Sequence, residues 1–174
     1  EPLRELLKIS DAFNVDLKSS DEVGYREHCG GHIEDVHRTI RMIHDAGKHI
    51  EMSHILVSNV TTELKKVEQL VDWIASIDTR IPLHLTKYFP ANHFIEPPTD
   101  IDFINKAYEI AKGKLDSVYL KNVSSKESQD SHCPSCGEVL VKRINFNTEI
   151  IGLDGSSCKF CGSSVFFKNA DLDD

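Results

Sequence analysis

The residues best placed to do chemistry are four cysteines arranged as Cys133-Pro-Ser-Cys136-Gly137 and Cys158-Lys-Phe-Cys161-Gly162. Two such turns bring four sulfurs together, and four thiolates at tetrahedral spacing make a closed metal site. The glycine after each second cysteine lets the backbone curl tightly enough for its N–H groups to face the sulfurs. The pattern reads as a zinc ribbon, with a rubredoxin-like iron site and a pair of disulfides as the alternatives. Cys29 is left over, no signal peptide opens the chain, and the composition is that of a cytoplasmic protein, which weighs against disulfides. A site closed by four thiolates has no open position for substrate, so the ribbon is expected to be structural.

Other metal-ligand spacings are weaker. Among nine histidines, His28 and His32 are four apart, but Gly30-Gly31 breaks any helix that would align them. His37 and His44 lie two helical turns apart, too far for one ion without a third element. Cys29 reads as a small packed side chain. The net charge of −8 argues against a general nucleic-acid binder. Within 132–169, Lys142, Arg143, Lys159 and Lys168 face Glu138, Glu149 and Asp154, so the ribbon has no basic stripe. No apolar run approaches a membrane span.

These groups must be held by regular elements. Residues 1–10 place Leu3, Leu6, Leu7 and Ile9 along a helix that begins at Pro2. Residues 12–17 alternate as a strand. A helix carrying Ile33, Val36, Ile40 and Ile43 is closed by Gly47. A second strand covers 50–57, and Thr61 or Thr62 caps a helix with Leu64, Val67, Leu70, Val71 and Ile74. A third strand over 82–88 leads into a long loop, 89–98, and Thr99 with Asp102 has the pattern of a capping box for a helix ended by Gly113. Residues 116–123 form a fourth strand. Residues 124–131 read as a polar linker, 132–169 as the ribbon with strands over 139–143, 144–151 and 164–167, and 170–174 as an acidic tail.

Strand and helix alternating from 12 to 123 predict a parallel sheet with crossover helices, whose ligands bind at the carboxyl ends of the strands. Asp16, Lys18, Ser53, His54, His84, Thr86 and Lys87 all fall on or near those ends.

The blocks Asp-Ala-Phe-Asn-Val-Asp16-Leu-Lys18, Tyr25-Arg26, Cys29-Gly-Gly31, His84-Leu-Thr-Lys-Tyr-Phe-Pro90, Pro97-Pro-Thr99, Val118-Tyr-Leu-Lys-Asn-Val123 and Cys133-Pro-Ser-Cys-Gly-Glu138 resemble the C-terminal half of radical S-adenosylmethionine (SAM) proteins. More narrowly, they resemble the AmmeMemoRadiSam-system radical enzymes, relatives of the pyruvate formate-lyase activating enzymes. The resemblance implies a partial (β/α) barrel over 1–123. It also implies a [4Fe–4S] cluster that binds SAM and cleaves it to a 5′-deoxyadenosyl radical. Carried onto this chain, Lys18 would meet the methionine carboxylate and Asp16 would accept from its amino group or orient Lys18. Ser53 would contact the cofactor, and His84 or a neighbour on the third strand would approach the ribose.

The sequence departs from that family in three places. It lacks the Cys-x3-Cys-x2-Cys triad that holds the cluster, it lacks the glycine-rich block that receives the cofactor's amino group, and it has Val57-Ser-Asn-Val60 where a Pro-Gly turn is common. Without ribbon and linker, roughly 120 residues remain, against the ~200 or more of a closed barrel. With Glu1 as its first residue, the chain is therefore expected to be the C-terminal portion of a longer enzyme, or a split subunit, with the cluster-bearing half of the barrel as its partner. A non-catalytic zinc-ribbon adaptor that docks a partner protein is the rival expectation.

Overall fold

The computed structural model describes residues 2–123, 129–144 and 147–167. They fall into two compact units, 1–123 and 124–174. Unit 1 has the order α1 (Pro2–Ile9), β1 (Ala12–Asp16), α2 (Glu22–Gly24) running into a π-helical turn (Tyr25–Cys29), α3 (Ile33–Asp45), β2 (His49–Leu56), α4 (Leu64–Ile77), β3 (Leu83–Lys87), α5 (Ile101–Lys112) and β4 (Val118–Lys121). The four strands form one parallel sheet in the sequential order β1-β2-β3-β4. Right-handed crossovers in sequential order put every connecting helix on the same side of a sheet.

That one-sided arrangement is legible in the side chains. Ile50, Met52 and Leu56 of β2, Leu83 and Leu85 of β3, and Val118 and Leu120 of β4 point one way. They form a single core with Ile40 and Ile43 of α3, Val67, Leu70, Val71 and Ile74 of α4, and Ile104, Ala107 and Ala111 of α5. Alternate residues, including Asn14, Asp16, Glu51, Ser53, His84, Thr86 and Tyr119, stand on the other face, half-buried or exposed. Parallel sheets are ordinarily covered on both faces. Here the second face is polar and among the described residues carries no helix.

Two expected caps are corrected. Helix α4 starts at Leu64 with Glu63 as its N-cap and no side-chain cap bond. Thr61 instead donates to the Ile55 carbonyl (2.9 Å) and accepts from Val57 N–H (2.7 Å), closing the turn that ends β2. Helix α5 is capped by Asp100, whose carboxylate accepts from Phe103 N–H. Thr99, 2% exposed, accepts from Tyr88 N–H (2.8 Å) and donates to the Leu56 carbonyl. Both threonines satisfy backbone groups freed where strands end, a demand set by burial that outweighs the local capping pattern. Gly47, at φ 67°, follows α3 as expected.

In unit 2, β5 (Ser131–His132), β6 (Val139–Ile144) and β7 (Asn147–Ile150) form an antiparallel sheet, and β8 (Leu153–Asp154) pairs with β9 (Ser157–Cys158). The strand expected over 164–167 is reduced to a single bridge between Ser157 and Ser164. Most of the expected linker, 124–128, and the tail, 170–174, lie outside the described residues. No helix among the described residues is long and apolar enough to cross a membrane.

Candidate functional site

Strand register gathers three of the expected site residues into one row, although only Asp16 ends its strand: Ser53 lies inside β2 and His84 is the second residue of β3, because successive strands are staggered in register. Asp16 pairs with Ser53, Ser53 with His84 and His84 with Tyr119, so the four stand side by side across β1, β2, β3 and β4 on the open face. With parallel strands about 4.8 Å apart, Asp16 and His84 are separated by roughly 10 Å, the scale of a small elongated ligand. Lys18 follows β1 and forms an ion pair with Asp16, each side chain about half exposed. Ser53 Oγ donates to Asn14 Oδ1 at 3.1 Å. His54 and Lys87 do not join this row. His54 is 3% exposed on the helix-covered side, and the Lys87 ammonium lies over the Phe89 ring, 5.1 Å from its centroid.

Below the row lies a hub the sequence reading missed. Glu51 accepts from His84 Nε2 at 2.7 Å and His49 Nε2 at 3.2 Å. Those hydrogen bonds, His84 first, hold its carboxyl at about 2, outweighing desolvation. An ionised carboxylate only accepts, so both imidazoles carry their proton on Nε2. His84 also stacks on Tyr119, with centroids 5.2 Å apart. Its Nδ1 is sealed from solvent and has no hydrogen-bond partner among the described residues. The only signal for this hub in the sequence is that Glu51 and His49 share the face of Ser53 by strand alternation.

A pH dependence follows from the Glu51 shift. Because the folded value, about 2, is below the ordinary 4.5, the stability Glu51 contributes is fully present above pH 4.5. It is lost as pH falls through 4.5 towards 2. Allowing for a side chain 35% exposed, the contribution is about 1–2 kcal/mol. Asp78, also held at about 2, beside Arg80, titrates in the same window, so the comparison must be with Glu51→Gln. Urea unfolding is expected to show wild type more stable than Glu51→Gln at pH 6, with the gap shrinking at pH 3. A gap independent of pH would contradict the assignment.

The histidines of the two spaced pairs make other contacts in the structure. His37 stacks on Trp73 with centroids 3.7 Å apart, and burial lowers its pKa. His44 lies 3.5 Å from Asp78. His32 meets Glu22 at 2.6 Å, and His28 contacts the edge of Phe94 in the loop after β3. Cys29, expected to be packed, is exposed instead, because the π-helical turn ends there at Gly30 with φ 64°.

In unit 2, the Sγ atoms of Cys133, Cys136, Cys158 and Cys161 lie within 4.8 Å of one another. Cys133–Cys161 and Cys136–Cys158 are each 3.7 Å apart. A tetrahedron of sulfurs 2.3 Å from a central ion has edges of about 3.8 Å, so the thiols already have the spacing of a metal site. The two turns are built alike. Cys133 N–H donates to Glu138 O and its carbonyl accepts from Gly137 N–H, while Cys158 N–H donates to Ser163 O and its carbonyl accepts from Gly162 N–H. Gly137 and Gly162 sit at φ 79° and 73°, which glycine adopts without strain. Packed this closely, the four sulfurs disfavour one another as thiolates. The Ser163 hydroxyl lowers Cys161. Cys136, although a backbone hydrogen bond at Glu138 favours its thiolate, is pushed up to about 12 by desolvation and the other sulfurs. A bound cation removes that conflict. The four-cysteine group can hold a metal ion.

The parallel α/β fold has counterparts among solved structures. The structure is similar to a domain of pyruvate-formate lyase-activating enzyme from Bacteroides vulgatus, with a TM-score of 0.61 at 19% identity, covering 69% of this chain and 73% of that one. It is also similar to a radical SAM methyltransferase from Sphaerobacter thermophilus, with a TM-score of 0.51 at 15% identity, covering 79% and 40%. At those identities the likeness is one of fold. In sequence, the chain is 29% identical over 170 residues to an uncharacterized protein of Methanocaldococcus jannaschii, covering 95% of this chain and 50% of that protein. The chain thus spans about half the length of that relative. No family model matches the chain.

Proposed function

We propose that the chain is the C-terminal portion of a radical SAM enzyme of the activating-enzyme type. In this reading a partial (β/α) barrel provides cofactor contacts and a zinc ribbon plays a structural part. The row of Asp16, Ser53 and His84 across three adjacent strands carries this proposal. The residues fit the ligand chemically. The methionine end of SAM is a zwitterion, and Lys18 and Asp16 offer one charge of each sign, already paired and half open to water. A bound carboxylate would take over the Lys18 ammonium and a bound ammonium the Asp16 carboxylate. His84 stands in the same row, its ring fixed by the Nε2 bond to Glu51 and by stacking on Tyr119, and would line the site beside the ribose.

The cluster and cofactor, when bound, would supply hydrogen-atom abstraction. This chain's residues grip the cofactor and present it on a polar face. The three cluster cysteines and the remaining strands belong to the partner half, in the same or a separate chain. Sequential strand order with helices on one side supports that reading, because it is the order of (β/α) barrel strands, and the uncovered polar face would become the barrel's interior.

Titration calorimetry of SAM against the full-length protein tests the proposal. Lys18→Ala is expected to weaken binding about ten- to hundredfold, the loss of one charge-assisted contact of about 1.5–3 kcal/mol. Unchanged affinity would remove Lys18 from the site.

A further inference from the structure

The peptide unit joining Leu17 to Lys18 is held from both sides. Leu17 is 1% exposed, and its N–H donates to the Ser53 carbonyl at 2.9 Å, extending the β1–β2 ladder by one bond. Its carbonyl accepts from Nδ1 of His54 at 2.6 Å. At the other end of the same peptide, Lys18 N–H donates to the Tyr25 hydroxyl at 2.9 Å. His54 is fully sequestered, and burial lowers its pKa, so it is neutral with its proton on Nδ1 facing the carbonyl. Tyr25 is 3% exposed, and burial raises its pKa, which keeps the phenol protonated.

The surrounding backbone is shaped for this contact. Tyr25 opens the π-helical turn that follows α2, which is capped by Asp21 accepting from Gly24 N–H at 2.7 Å. Gly24 is needed for the approach, because a Cβ there would lie 2.2 Å from Ser19 Oγ. Lys66 reaches across from α4 to Asp21 at 3.2 Å. A turn at a strand end could have left its peptide to water. Here two buried side chains, from β2 and from the π-helical turn, converge on one peptide, and these hydrogen bonds offset part of the cost of burying their polar groups.

We infer that Tyr25 and His54 are positioning residues that lock the Leu17–Lys18 peptide plane and so aim the Lys18 side chain, beside Asp16, at the ligand's charged end. Fixing the peptide plane fixes ψ of Leu17 and φ of Lys18, which sets the direction of the Lys18 side chain. Free rotation there would add an ordering cost to every binding event. This inference rests on the cofactor reading above.

The test compares two ligands on the full-length protein by calorimetry: SAM, and 5′-methylthioadenosine, which lacks the amino-acid end. Tyr25→Phe keeps the buried ring and removes the acceptor. It is expected to weaken SAM binding about tenfold while leaving methylthioadenosine within twofold. His54→Leu should do the same. His54→Asn, whose amide can present a donor where Nδ1 stood, should restore binding. The inference is overturned if Tyr25→Phe and His54→Leu bind SAM as wild type does, or lose both ligands equally, as a merely structural role would give. If wild type binds neither ligand, the cofactor reading falls and this inference with it. If wild type binds SAM and the variants match it, only the inference falls.

Discussion

Replacing Cys158 with serine is expected to abolish metal binding and unfold unit 2 while unit 1 stays folded. The buried cluster of unit 2 comprises Cys133, Leu140, Val141, Cys158 and Val165, so two of its five members belong to the four-cysteine group. A core of that size cannot offset the conformational entropy of the strands around it, and small domains of this kind depend on a staple. Structural zinc supplies about 10–16 kcal/mol in comparable small sites, far more than the three aliphatic side chains can. Metal analysis should find one ion per wild-type chain and none in Cys158→Ser. Limited proteolysis should then cut within 129–167 and spare 2–123. A colourless wild-type protein would identify zinc over iron. Full protection of the variant from protease would show that the sulfurs are not what holds the unit together.

The second large effect concerns the opposite face of the sheet. Leu85 is fully buried in the centre of β3, between His84 and Thr86, which stand on the open side. Leu85→Ala is expected to cost about 2–5 kcal/mol, the transfer term plus the cavity left under α4 and α5. Lys18→Ala, on a half-exposed side chain, should change stability by less than about 0.5 kcal/mol while affecting binding strongly. Chemical denaturation of both variants checks the division of labour between the two faces. Equal stability losses would show that Lys18 has a structural role the geometry does not suggest.

Some of this was available without coordinates. The four cysteines announce a metal site because thiolate spacing in sequence translates directly into spacing in space when a glycine follows each pair. Hydrophobic periodicity locates the parallel strands and their helices because burial on one face imposes it over many residues. Thr61 and Thr99 have the local pattern of caps because each precedes a helix, whereas the partner of each is set by which backbone carbonyl a strand end leaves exposed. The expected strand over 164–167 dwindled to one bridge for a related reason, since alternation cannot say whether a neighbouring strand is there to pair with.

The sequence by itself determined that Asp16, Ser53 and His84 lie on successive parallel strands and that four sulfurs converge. Only the tertiary structure decided that the three residues share one row, that Glu51 binds His84 from 33 residues away, and that Tyr25 and His54 grip one peptide. Strand register, tautomer and the pairing of a buried donor with its acceptor are long-range properties. They depend on which strands become neighbours and how they are aligned, and no local pattern encodes that.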